Sequence, residues 1–278
     1  GCEPSMTDSE FSSREVDAGI VDGVGPGGDV VVNLAEGLTG TWALATDWST
    51  CVKIGTVRWE NRSRKLLRVQ FSQSGFRIHE TREVCSVQTT PLLGQTTIIG
   101  PAVIAGMAKM PVESVLFGSG AGSSYVSGTD VQLFGIKLQN PLSDKMPTKS
   151  QKDDPRIYDS DGDGKLGATL QVGSACEVQV VQRSFSNLSG VLGADGWITG
   201  QGMHTTEQVI MEASAAFCAT PFTTEPNDVH NRFVMVRVDA GGMNLDSDGN
   251  KEVSCAEIIA ASDKLITWQK EDKTKCAP

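Results

Sequence analysis

Several chemistries are excluded by what the chain does not contain. It has three histidines, His79, His204 and His230, and none falls in an H-E-x-x-H or other zinc-binding spacing. No C-x-x-C or C-x-x-C-H occurs, which removes thioredoxin-like redox chemistry, c-type haem attachment and zinc knuckles. There is no G-x-S-x-G nucleophile elbow. The glycine-rich stretch Gly118-Ser119-Gly120-Ala121-Gly122 lacks the lysine of a phosphate loop and reads as a hairpin connection. Basic residues are scarce: 24 Lys plus Arg against 34 Asp plus Glu gives a net charge of −10, the wrong sign for binding nucleic acid. A helix spanning a bilayer needs about 18 consecutive apolar residues. The best run, Thr96 to Val112, is interrupted by Gly100, Pro101, Gly106 and Lys109. No catalytic residue is identifiable from spacing, and an acidic glycosidase-like pair has no sequence signature of its own.

What the chain does have is 278 residues, enough for one large domain or two modest ones with a substantial core. It has seven cysteines, six of them spread at intervals of tens of residues: Cys51, Cys85, Cys176, Cys218, Cys255 and Cys276. Widely spaced cysteines in even number fit structural disulfides formed in an oxidising, extracytoplasmic compartment. Six cysteines allow fifteen pairings. The sequence neighbours Cys51–Cys85 and Cys176–Cys218 are the expected ones. Cys255–Cys276 is disfavoured, because a helix of about 15 residues would separate them by roughly 22 Å. The seventh, Cys2, is left over. Gly1-Cys2 followed by Glu3, Pro4, Ser5, Thr7 and Asp8 resembles the lipobox end of bacterial lipoproteins, which implies that Cys2 carries lipid and that membrane contact is through this anchor only. Residues 1–38, rich in glycine and without period, read as a flexible tether. Asp29–Leu34 could add a short edge strand.

From Gly40 onward the pattern is alternation. In Leu67-Arg68-Val69-Gln70-Phe71 every second residue is apolar, which puts those side chains on one sheet face. Segments 131–138 and 176–180 behave alike, and further strands are expected at 41–47, 51–60, 75–80, 83–89, 95–99, 102–107, 113–118, 167–173, 196–201, 206–212 and 231–239. Short strands punctuated by Gly, Pro, Asn and Asp predict a mainly β fold, an antiparallel barrel or sandwich. One helix is expected at 254–270. Ile258, Ala261, Leu265 and Trp268 form its apolar stripe, and Ser254 with Glu257 forms a capping box. The organisation is then a tether over 1–38, a β domain over 39–245 with an inserted loop near 153–167, and a loop plus helix over 246–278.

Gly40-Thr41-Trp42 on the first firm strand, with Arg237 on the last strand and a helix after it, resembles the G-x-W signature of lipocalins and the wider calycin barrels. The resemblance implies a Trp packed under an Arg across the end of a barrel. The number of expected strands exceeds the eight such barrels use.

The strongest chemical signal is acidic. In Asp159-Ser160-Asp161-Gly162-Asp163-Gly164-Lys165, carboxylates at positions 1, 3 and 5 precede a glycine at 6, which resembles the first half of an EF-hand calcium loop. Lys165 would offer its carbonyl. Position 12 is Leu170, so a bidentate ligand has to come from elsewhere, with Asp153 or Asp154 nearby. A second stretch, Asp246 to Glu257, places Asp246, Asp248, Asn250, Glu252 and Glu257 in an EF-hand-like order. There Lys251 occupies the position where backbone geometry favours glycine. Both loops point to Ca²⁺ as a structural staple. The function that follows is a surface-anchored, calcium-stabilised β domain that binds or assembles. Its partner would be an envelope or extracellular protein, a glycan, or an apolar ligand inside a barrel. A secreted hydrolase with acidic catalytic residues and a subunit of an extracellular filament or coat are the alternatives.

Overall fold

The computed structural model describes residues 37–54, 56–91, 95–219, 223–227, 231–266 and 276. All but the last two residues of the expected tether, with Cys2 and the 29–34 segment, lie outside them, as does His230. Among the described residues the protein is mainly β, and its named strands pair antiparallel. The strands are β1 (Gly40–Ile54), β2 (Val57–Ser74), β3 (Arg77–Thr89), β4 (Thr97–Ile99), β5 (Met110–Phe117) and β6 (Ser124–Ser127). They continue as β7 (Asp130–Phe134), β8 (Ala168–Val172), β9 (Cys176–Leu192), β10 (Ile198–Ala213), β11 (Thr223–Pro226) and β12 (Arg232–Arg237). Three short helices are α1 (Pro101–Ala105), α2 (Cys255–Ala260) and α3 (Ser262–Leu265).

Eight strands close a ring in sequence order, β1-β2-β3-β5-β6-β9-β10-β12, with β12 pairing back onto β1. It is not a clean barrel. One edge of β9 is shared in succession by β8, β7 and β6, β4 extends beyond β8, and β11 lies against the far end of β1. Closure removes most of the open edges that would otherwise template aggregation.

Alternation decides what fills the ring. Trp42 and Leu44 from β1, Leu67, Val69 and Phe71 from β2, and Phe233 and Met235 from β12 point inward as one packed cluster. Trp42 stacks on Phe71 with centroids 4.9 Å apart, and its Nε1 donates to the Leu38 carbonyl at 2.8 Å. Trp42 and Arg237 are cross-strand partners, and Arg237 donates to the Gly37 carbonyl at 2.6 Å and to Asp239 at 2.7 Å. This end of the ring is shut. Gly40 is needed here: a Cβ would sit 2.1 Å from Asp239 Oδ2.

The opposite face of β1 and β12 is also apolar, so Phe233-Val234-Met235-Val236 is buried on both sides. Ala43, Ala45, Leu66, Val234, Val236 and Val238 on the outside are covered by Val253, Ile258 and Leu265 from the C-terminal segment. Cys85 belongs to this outer layer because of a bulge: the β2–β3 register shifts between Leu66 and Leu67. Ile78, Glu80, Arg82 and Val84 are buried at alternate positions, and the extra residue turns Val87 and Thr89 back toward the interior.

Several expectations are corrected. Residues 101–105 are helical where strand is predicted over 102–107, because Gly100 is extended as N-cap and Pro101 favours the first helical turn. Segments 75–80 and 83–89 form the single strand β3, and 196–201 and 206–212 the single strand β10. The expected strand 51–60 is instead a hairpin joining β1 to β2. The C-terminal helix breaks at Ala261 (φ −93°, ψ 8°) into α2 and α3. Residues 267–270, with Trp268, lie outside the described residues.

The three disulfides are Cys51–Cys276, Cys85–Cys255 and Cys176–Cys218. The third is the expected pairing. Cys51–Cys85 does not form: the bulge directs Cys85 to the outer layer, against Cys255 at the start of α2, with Cα atoms 5.0 Å apart. Three such bridges fit an oxidising or extracytoplasmic setting, and no described helix is long and apolar enough to cross a membrane.

Candidate functional site

The first acidic loop is tied at its base by Ser160 N–H to the Gly167 carbonyl and Gly167 N–H to the Tyr158 carbonyl, both at 3.0 Å. Gly162 and Gly164 take φ of +75° and +85°, so the chain curls around its own carboxylates. Asp159 accepts from the N–H groups of Gly162 and Gly164 at 2.7 and 2.8 Å, which holds its carboxyl below the usual range, the Gly164 bond foremost. Asp161 accepts from Thr169 N–H at 2.9 Å, and Asp163 from the Thr169 hydroxyl at 2.6 Å. One oxygen of each of the three aspartates lies within 4.8 Å of the others. Burial raises the Asp161 carboxyl, and its Oδ1 is buried with no hydrogen-bond partner among the described residues. A divalent cation fits that constellation, because it would satisfy the orphaned oxygen and offset the mutual repulsion. The Lys165 ammonium pairs with Glu177 and lies 3.7 Å from Asp163. Asp154, a candidate for the missing ligand, is held by Arg156 at 2.7 Å, and Asp153 is exposed.

The second loop brings Asp246, Asp248 and Glu257 within the same 4.8 Å. Lys251 adopts φ +70°, as its place in the loop requires, and its N–H donates to Asp246 at 2.9 Å. Asn250 Nδ2 donates to Asp248 at 3.0 Å, and its Oδ1 accepts from Glu252 N–H at 2.7 Å. The Glu252 side chain stands exposed, outside the triad. Glu257 completes the capping box with Ser254 and also accepts from Ser247 N–H at 2.6 Å. These donors, the Ser254 and Ser247 backbone N–H groups first, hold its carboxyl down to about 2. Each acidic triad can therefore hold a metal ion.

The third feature is a cavity of about 970 Å³ at the end of the ring remote from Trp42. Its walls come from the far halves of the long strands, with Val87, Ile99, Leu170 and Val178 among the apolar ones. Exposed Gln95, Lys149 and Phe217 stand at its rim and open it to solvent. At the inner end a second void, about 20 Å³, lies between this cavity and the packed core. Trp48, Lys65, Ser184 and His204 line both spaces, so they form the partition.

The partition is built by close fit. Trp48 stacks on His204 with centroids 5.1 Å apart and planes 10° from parallel. Gly202 makes room for it, since a Cβ there would lie 2.7 Å from the Trp48 ring. Lys65 Nζ donates to Gln132 Oε1 at 2.8 Å. Burial, opposed by Asp130, lowers the Lys65 ammonium to about 8. Burial and then the Lys65 charge push His204 well below its usual value, so the ring is neutral at pH 7.

Across the smaller void sits a polar cluster inside the ring. Arg82 donates to Glu80 at 2.8 Å, to Asp130 at 3.2 Å and to the Tyr125 hydroxyl at 3.1 Å, while Tyr125 donates to Glu80. Arg82 and Tyr125 are at most 1% exposed. His79, beside Glu80 in sequence, is exposed and meets Glu113, so strand alternation sends the two neighbouring side chains to opposite faces.

No family model matches the chain, and comparisons with curated proteins and with solved structures find no match. The site rests on its own geometry. The cavity and its partition are what sequence reasoning missed. A signal was present: counting back by twos from Leu67, Lys65, Ser63 and Asn61 fall on the inward face.

Proposed function

We propose that the protein is an extracytoplasmic ligand-binding module, a β ring that takes an apolar or amphipathic small molecule into the 970 Å³ cavity. That cavity carries the reading. Its size is at the upper end of small-molecule sites, roughly 300–1,000 Å³, and its lining mixes apolar side chains such as Val87, Ile99 and Leu170 with hydroxyl and amide groups such as Thr89, Gln182 and Thr206, an amphipathic wall. The closed end, with Trp42 and Arg237 as cross-strand partners, supports a calycin-like arrangement. With six cysteines paired among themselves, Cys2 is left for a lipid anchor at an envelope surface.

Titration of the full chain with the neutral dye Nile red is expected to give saturable, one-site fluorescence enhancement. Val87→Trp, which narrows the cavity from β3, is expected to weaken it. Enhancement that does not saturate, or that Val87→Trp leaves unchanged, counts against the reading.

In the same proposal the two acidic loops hold Ca²⁺, which prefers clustered hard oxygens and is abundant outside cells. With millimolar calcium and a Kd near 10⁻⁴ M, each site would stabilise the fold by about 1–2 kcal/mol. Chelation with EGTA is expected to lower Tm by several degrees. Asp161→Asn and Glu257→Gln should each remove part of that difference. A melt indifferent to EGTA would show that neither loop staples the fold.

A further inference from the structure

The composition of the cavity wall is at odds with the composition of the chain. Acidic residues outnumber basic ones, 34 to 24, yet no Asp or Glu is among the described residues lining the cavity. The ionisable groups there are Lys65, Lys149 and His204. Lys149 is exposed at the rim, and His204 is kept neutral by burial and by its neighbour's charge. The fixed positive charge of the inner end is therefore Lys65 alone. It has one hydrogen-bond partner among the described residues, the Gln132 amide oxygen, for an ammonium with three donors. The nearest compensating carboxylate, Asp130, is in ion-pair contact with Arg82 on the other side of the partition.

Resting on the ligand-binding reading above, we infer that the cavity takes a single-chain carboxylate head first. Its carboxylate accepts from Lys65 Nζ at the partition, and its hydrocarbon chain lies along Val87, Ile99, Leu170 and Val178 toward the rim. A half-buried ammonium with spare donors favours an anion, since a charge-assisted bond replaces the hydration that an entering ligand displaces. A cationic ligand would be repelled there, and a neutral one would leave the ammonium desolvated and short of partners. The depressed ammonium of Lys65 has the same origin, and a bound carboxylate would draw it back up.

The test compares cis-parinaric acid with its methyl ester on the full chain, read by probe fluorescence. At pH 7 the acid is expected to bind at least tenfold more tightly than the ester. Lys65→Met is expected to erase the advantage of the acid over the ester. The preference should decline as pH rises beyond about 8, where Lys65 loses its proton. The groups facing it are Asp130, Arg82 and His204; over that range Arg82 is held protonated by its buried acidic and phenolic neighbours and His204 stays neutral. Equal binding of acid and ester overturns the carboxylate inference and leaves the ligand-binding reading standing. Binding of neither probe overturns both. A preference that persists in Lys65→Met and vanishes in Lys149→Met places the head at the rim and overturns the assignment to Lys65. If Lys65→Met does not fold, the acid–ester ratio and its pH profile on the unsubstituted chain decide alone.

Discussion

Arg82→Met is expected to destabilise the protein by about 3–5 kcal/mol, because it leaves two buried carboxylates without the cation between them. Glu80 is 2% exposed and Asp130 6%, and the guanidinium is the cation that touches both. Burial by itself disfavours the charge on Arg82, but Glu80, Tyr125 and Asp130 together more than offset that and hold its proton more firmly than usual. For a domain of this size each kcal/mol moves Tm by roughly 2–4 °C, so thermal melts should fall by about 10 °C. The double variant Glu80→Gln with Arg82→Met should recover part of the loss, since it removes one of the stranded charges together with the cation. A double variant less stable than the sum of the singles would mean that the cluster is not a charge-balanced unit. The cluster also bears on the cavity. Asp130 and Arg82 line the small void on the far side of the partition from the ligand space, so loss of Arg82 would leave the Asp130 charge to Lys65. Acid-over-ester discrimination should then weaken even where the fold survives.

Legibility in the sequence followed burial geometry. Strands with one face in the core and one in water, such as Leu67 to Phe71, show alternation and were readable. The outer layer over β1 and β12 hides that signal, because Val234 and Val236 are buried beneath the C-terminal segment while Phe233 and Met235 fill the ring. The helix there is short for a related reason: its stripe needs to cover only one patch of sheet, and the chain turns at Ala261. The acidic triads were legible because each is local, all its carboxylates lying within about a dozen residues of one another in sequence. Glu257 fell in place at the far end of the second loop for the same reason. The cavity was not legible in this way. Trp48, Lys65 and His204 come from β1, β2 and β10, and only ring closure brings them to one partition. Disulfides divide similarly. Cys176 and Cys218 flank the β9–β10 hairpin and are near in sequence, whereas Cys85 meets Cys255 across 170 residues through a bulge that no composition signals.

That long-range bridge carries the second large effect. Cys85→Ala with Cys255→Ala is expected to cost about 2–4 kcal/mol, chiefly by releasing conformational freedom in the unfolded chain. The separation of 170 residues would suggest a value near the top of the range for an isolated crosslink. Cys51–Cys276, at a separation of 225, closes a loop around it, so the inner bridge removes less freedom than it would alone. The consequence for the acidic loops is asymmetric. Cys255 is the first residue of α2, and Glu257 two residues on belongs to the second triad. Without the bridge, α2 is held to the ring chiefly by the packing of Val253, Ile258 and Leu265 and by Arg68 donating to the Val253 carbonyl, and an ion at Asp246, Asp248 and Glu257 would have to supply more of the ordering free energy itself. On the proposal that both loops hold Ca²⁺, the double variant should bind it more weakly at the second loop while the Asp159–Asp163 loop keeps its affinity. Calcium titration calorimetry on the variant and the unsubstituted chain separates the two. Equal weakening at both loops would show that the bridge acts on global stability and not through the placement of α2.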